Sequence, residues 1–255
     1  MNERPATPAV VSADLGGVFR LYQASLSRCW PASLLLALAW GGFSTAVNRR
    51  LGPGGDLLQW IAQLQALLGS GYFWRLFAQA CLLSILLYCA LVARIHAVAV
   101  GAASPARADL ATALRVFPGA LAGAVFFLIA TSVGTLLLIV PGAYLWGMWQ
   151  LWLVALVVEG AGPMAALRRS WHLMAGAWWR ITTLITVVGL IAVLPPMIID
   201  AILSGWLTLA GVSLARVPAV VTIADVVMDI FLAPLIPAAL VAAYLDRRRA
   251  LAVHA

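Results

Sequence analysis

Asp225 and Asp229 stand four residues apart inside a long apolar run, and Asp200 lies near the end of the run before it. Four-residue spacing puts Asp225 and Asp229 on one helix face. Acids inside an apolar helix are costly and are candidates for function. Gathered in one place, these three could take up protons or bind a cation, the chemistry of a coupled carrier. The plainer expectation is that they pair with Arg75 and Arg216 near the same membrane surface. Asp229 is the deepest and the hardest to pair in that way.

Glu159 is the next acid of interest. It ends an apolar run and precedes a helix that opens near Pro163. A carboxylate there suits the positive end of that helix and can reach Arg168 or Arg169. It reads first as a structural staple. The helix itself places Met164, Leu167, Trp171, Met174 and then Trp178 on one side, with Arg168, Arg169 and His172 displaced from it. That pattern fits a helix lying at a membrane surface, with Trp171, Trp178 and Trp179 in contact with lipid. Gln79 and Gln150 are expected to hydrogen-bond between helices.

Motifs of known chemistry are missing from the sequence: no HExxH, Walker loop, GxSxG or paired His/Asp is present. Cys29, Cys81 and Cys89 lie in or beside apolar runs, without CxxC or a Cys/His cluster, so neither a disulfide framework nor a metal site is expected. No cofactor is called for, and the expectation is a protein that is not an enzyme.

The elements that position these residues follow from composition. Of 255 residues, 64% are hydrophobic and 10% charged, and the mean hydropathy is +1.01. Soluble domains carry about 25% charged residues. A chain this apolar needs lipid as its solvent, and in lipid long apolar runs must be helices. Their length, without strict alternation, argues against a β-barrel. Six spans can be drawn, near 31–47, 73–98, 119–140, 143–158, 181–203 and 217–244. Pro195-Pro196 should break the fifth, Pro234 and Pro237 should bend the sixth, and Pro141-Gly142 should form a tight turn between the third and fourth.

The formal charge is +7, and every basic residue is arginine. The arginines sit at span ends rather than in a nucleic-acid patch. Arg20, Arg28, Arg107, Arg115, Arg168, Arg169, Arg180 and Arg247 to Arg249 fall on one side, and Arg49, Arg50, Arg75 and Arg216 on the other. By the positive-inside rule the first side is cytoplasmic and holds both termini. No cleavable signal is legible, so the first apolar run is expected to act as an uncleaved anchor. A short basic amphipathic stretch precedes each odd span: Leu15 to Leu26 before the first, Leu110 to Phe117 before the third, and the helix after Pro163 before the fifth. These read as three divergent copies of an interfacial helix followed by a hairpin. Residues 57–68 form another candidate surface helix on the opposite side, with Asp56 as its cap and Leu57, Trp60, Ile61, Leu64 and Leu68 as its apolar face.

The segment 141–180 carries Pro141-Gly142, Tyr144 and Trp146, then Glu159, then Ala166-Leu167-Arg168-Arg169-Ser170, then Gly176-Ala177-Trp178-Trp179. This order resembles a superfamily of bacterial inner-membrane proteins. It includes the YciC type and the membrane domain attached to some glycerophosphoryl diester phosphodiesterases. Phe19-Arg20-Leu21-Tyr22 is similar to that family's first helix. The resemblance implies a six-helix membrane domain and no established activity, and it supplies no catalytic residues.

The expectation is therefore an all-α polytopic bundle, one domain over 1–255 with six transmembrane helices and short amphipathic interfacial helices. Residues 1–30 are a cytoplasmic segment carrying the first amphipathic helix, and 246–255 a cytoplasmic tail. The expected role is a non-catalytic, envelope-associated or scaffolding domain of the bacterial inner membrane. Its expected partners are anionic lipids and an unidentified protein, with no nucleic acid. The alternative is a small transporter of a lipid, amphiphile or ion that uses Asp200, Asp225 and Asp229.

Overall fold

A computed structural model describes residues 12–51, 57–102, 104–210 and 218–253. It is an all-α bundle. In chain order its helices are α1 (Leu15–Leu51), α2 (Leu57–Leu68), α3 (Gly71–Ala99), α4 (Ala106–Leu137), α5 (Ile139–Met148), α6 (Trp152–Glu159), α7 (Pro163–Met174), α8 (Trp178–Leu209), α9 (Pro218–Leu232) and α10 (Leu235–Val253). Six stretches are long and apolar enough to cross a membrane: α1, α3, α4, α5 with α6, α8, and α9 with α10.

Proline decides less than expected. Pro31 and Pro118 lie inside α1 and α4, so the amphipathic stretches before the first and third spans are not separate helices. They continue into their spans. Only α7 stands alone. Pro195 and Pro196 likewise lie within an unbroken α8. A proline removes one hydrogen bond to the carbonyl four residues back, a local defect that a membrane helix can absorb. Pro234 does divide the sixth span, between α9 and α10. The turn between α4 and α5 is at Leu138, earlier than expected, and Pro141-Gly142 belong to the first turn of α5. Gly142 is required there, because a Cβ would collide with the backbone of Thr135.

The fourth span breaks where no proline stands. Trp149, Gln150 and Leu151 separate α5 from α6. A break in lipid leaves backbone groups that need partners. Ser170 of α7 supplies them: its fully buried hydroxyl donates to the Met148 carbonyl (2.9 Å) and accepts from the Leu151 amide (3.2 Å).

This bond turns α7. The buried stripe is Ala166, Leu167, Ser170, Leu173 and Met174, whereas Met164 and Trp171 are exposed. One face of α7 thus packs on the bundle, with its serine at the broken span, and the face carrying Met164 and Trp171 is turned outward.

The core is concentrated toward the face that holds the ends of α3, α6 and α10. Leu91, Val92 and Ile95 of α3, Leu156 of α6, Leu173 and Met174 of α7, and Ala238 to Tyr244 of α10 are all buried there. Four alanines of α10 (Ala238, Ala239, Ala242 and Ala243) let α1, α3, α6, α7 and α8 approach it. Toward the opposite face α4, α8 and α9 present Leu136, Met197, Ile202 and Ile223 outward, as lipid-facing surface does. On that face α2 packs on α1 and α3, with Leu67 buried and Leu58 exposed. Asp56, its expected cap, lies outside the described residues.

Candidate functional site

The three intramembrane acids converge. Asp200 of α8 and Asp225 of α9 are within hydrogen-bonding reach of each other, and Asp229 lies within electrostatic reach of Asp200 and of Tyr88 on α3. Asp200 Oδ1 is buried and has no hydrogen-bond partner among the described residues. The expected partner Arg75 donates from Nε to the Gly71 carbonyl at 3.2 Å and forms no ion pair with these acids. Arg216, the other expected partner, lies outside the described residues. Among the described residues the ion pairs are Arg94–Asp109, Arg169–Glu159 and Arg180–Asp246, none involving these three acids. No group of three His, Cys, Asp or Glu suited to a metal ion occurs among the described residues.

Glu159 is a junction. It ends α6, where Gly160 takes a left-handed conformation (φ 63°) and turns the chain toward Pro163, the first residue of α7. One oxygen, Oε1, accepts from Arg169 Nε at 3.0 Å and from the Tyr244 hydroxyl at 2.6 Å. Arg168 is exposed and takes no part. The staple expected between Glu159 and an arginine therefore joins three helices, α6, α7 and α10. Its third member, Tyr244, is fully buried and 85 residues away in the chain. The other end of α7 is tied to α10 as well: Arg247 donates to the carbonyls of Leu173 (2.8 Å) and Ala175 (2.9 Å), as cations do at helix C-termini. Arg180 meets Asp246 at 2.7 Å, fastening the start of α8 to α10. Arg94 and Asp109, with Ser104 donating to Asp109 at 2.6 Å, close the α3–α4 connection.

The tryptophans divide. Trp179 is 74% exposed and faces outward, and Trp171 is partly exposed with its ring edge-on to Tyr144. Trp178, grouped with them as a lipid contact, packs half-buried between α5 and α8 against Tyr144. Gly147 makes room for it: a Cβ there would collide with the indole nitrogen. Gln150 sits in the break of the fourth span, buried, and its amide has no partner among the described residues. It does not bond across helices as expected.

Sequence reasoning missed Ser170, Tyr244, Asp246 and the Arg94–Asp109 pair. Ser170 had a visible trace: a polar residue in register with Ala166 and Leu173 on one face of α7. Tyr244 had none, since nothing local marks its partner.

The segment that holds both sites can be compared with known proteins. The family described as a domain of unknown function, DUF7847, matches residues 60–247. The chain belongs to the DUF7847 family. The match takes in the Glu159 junction, the Ser170 bridge and the three acids, and begins after α1. No curated protein and no solved structure matches.

Within this DUF7847 domain the Glu159 junction can be tested by stability. Glu159→Ala leaves the buried Tyr244 hydroxyl without its acceptor and should cost about 1–3 kcal/mol in thermal unfolding in detergent. Adding Tyr244→Phe should then cost little or nothing, because the two changes share one interaction. Arg168→Gln should stay within about 0.5 kcal/mol of the parent. Additive losses from Glu159→Ala and Tyr244→Phe would show that no such junction exists.

Proposed function

We propose that this DUF7847 protein is a non-catalytic domain of the bacterial inner membrane, with both termini cytoplasmic, that holds anionic headgroups on its basic face. The observation that carries this is a set of exposed arginines without an acid partner among the described residues: Arg28 on α1, Arg107 and Arg115 on α4, and Arg168 on α7. All lie at the face where α3, α6 and α10 end. Each basic residue near an anionic bilayer surface is worth about 1 kcal/mol. Exposed Trp30 and Trp179 on the same side suit the headgroup layer. The internal ties of Glu159, Arg169, Tyr244, Asp246 and Arg247 support a rigid platform rather than an active site. Kinship with the YciC-type superfamily is part of the proposal. It rests on the order of residues from Pro141 to Trp179 alone.

The test is lipid copurification in mild detergent. The protein should retain phosphatidylglycerol or cardiolipin over phosphatidylethanolamine. Arg107→Gln, Arg115→Gln and Arg168→Gln together should abolish that preference without loss of fold. An unchanged preference would defeat the proposal.

The convergence of Asp200, Asp225 and Asp229 favours a second reading, a small carrier of a lipid, amphiphile or ion. On that reading, proteoliposomes should show a proton or monovalent-cation flux that Asp225→Asn removes. Equal flux in the parent and the variant would exclude it.

A further inference from the structure

A groove of about 300 Å³ runs between α1 and α9 in the half of the bundle away from the basic face. Leu38, Gly42, Thr45 and Ala46 of α1 form one wall and Val226 of α9 the other, with Arg49 at the end. The volume is at the low end of those that hold a small ligand. Its two ends differ in chemistry. Arg49 is exposed near the end of α1, at the level where headgroups lie. Leu38 stands eleven residues deeper, about 16 Å along a helix axis. The neighbouring Arg50 is occupied, stacked 4.4 Å above the Tyr72 ring. Arg49 has no partner among the described residues.

We propose that this groove binds one phospholipid, with its phosphate on Arg49 and one acyl chain along Gly42 and Leu38. The cation at headgroup depth calls for an anion, and the small apolar floor that continues inward takes a chain. Small residues spaced four apart, Gly41 with Thr45 and Gly42 with Ala46, could instead seat a helix of a second copy. An apolar helix laid there would leave Arg49 without its anion, and for that reason the lipid is the better occupant. The site lies on the opposite face from the arginines of the lipid platform and does not depend on them.

Gly42 gives a direct probe, because a Cβ there meets no protein atom within 4 Å. Gly42→Leu therefore sends a side chain into the groove from a position where its Cβ is free of contacts. The full chain, extracted in mild detergent and incubated with phosphatidylglycerol, is examined by native mass spectrometry. The parent should carry a phospholipid that survives delipidation. Gly42→Leu should lose it, Arg49→Gln should lose most of it, and Arg49→Lys should keep it. The Arg107, Arg115 and Arg168 variants should leave it in place, which separates this site from the basic face. Equal retention in the parent, Gly42→Leu and Arg49→Gln would overturn the proposal. So would a parental dimer that Gly42→Leu converts to monomer with its lipid content unchanged.

Discussion

A backbone inside a bilayer has no water to bond to, and this bundle interrupts its fourth span in mid-course. The interruption at Trp149–Leu151 frees a carbonyl at Met148 and an amide at Leu151, and Ser170 binds both. Much of the architecture depends on that bridge. For Ser170 to reach the break, α7 must lie within the bundle. For α7 to lie there it needs fastening: Glu159 holds Arg169 in its middle, and Arg247 takes the carbonyls at its finish. Both fastenings run through α10, whose alanine-rich surface lets the neighbouring helices close around it.

The two halves of the bundle differ in consequence. The half toward the chain ends is packed and cross-braced by ion pairs and capped helix ends. The other half is more open, with apolar faces of α4, α8 and α9 turned outward and the three carboxyl groups gathered between α8 and α9. The exposed arginines thus sit at the closely packed end, and the acids and the α1–α9 groove at the more open one.

Composition and arginine placement made the six spans legible, because both reflect the bilayer directly. The detail was harder to read. Pro31, Pro118, Pro195 and Pro196 suggested breaks that the helices absorb, since each removes a single hydrogen bond. The real break at Trp149–Leu151 carries neither proline nor glycine, and the group that satisfies it is a serine about twenty residues on. Glu159 was legible as a staple because Arg169 is close in the chain, while Tyr244 was hidden because burial and a distant partner leave no local pattern. Asp225 and Asp229 were visible as one helix face, but that Asp200 would lie beside Asp225 depended on how α8 and α9 pack.

The Leu151 amide offers the most direct measurement of the bridge. Its hydrogen exchange can be followed with the protein in lipid nanodiscs, with and without Ser170→Ala. Exchange in the parent should be as slow as in the middle of α6. In the variant it should rise by orders of magnitude, with α3 and α10 little changed. A Leu151 amide that exchanges equally fast in both proteins would mean that Ser170 does not hold the broken span.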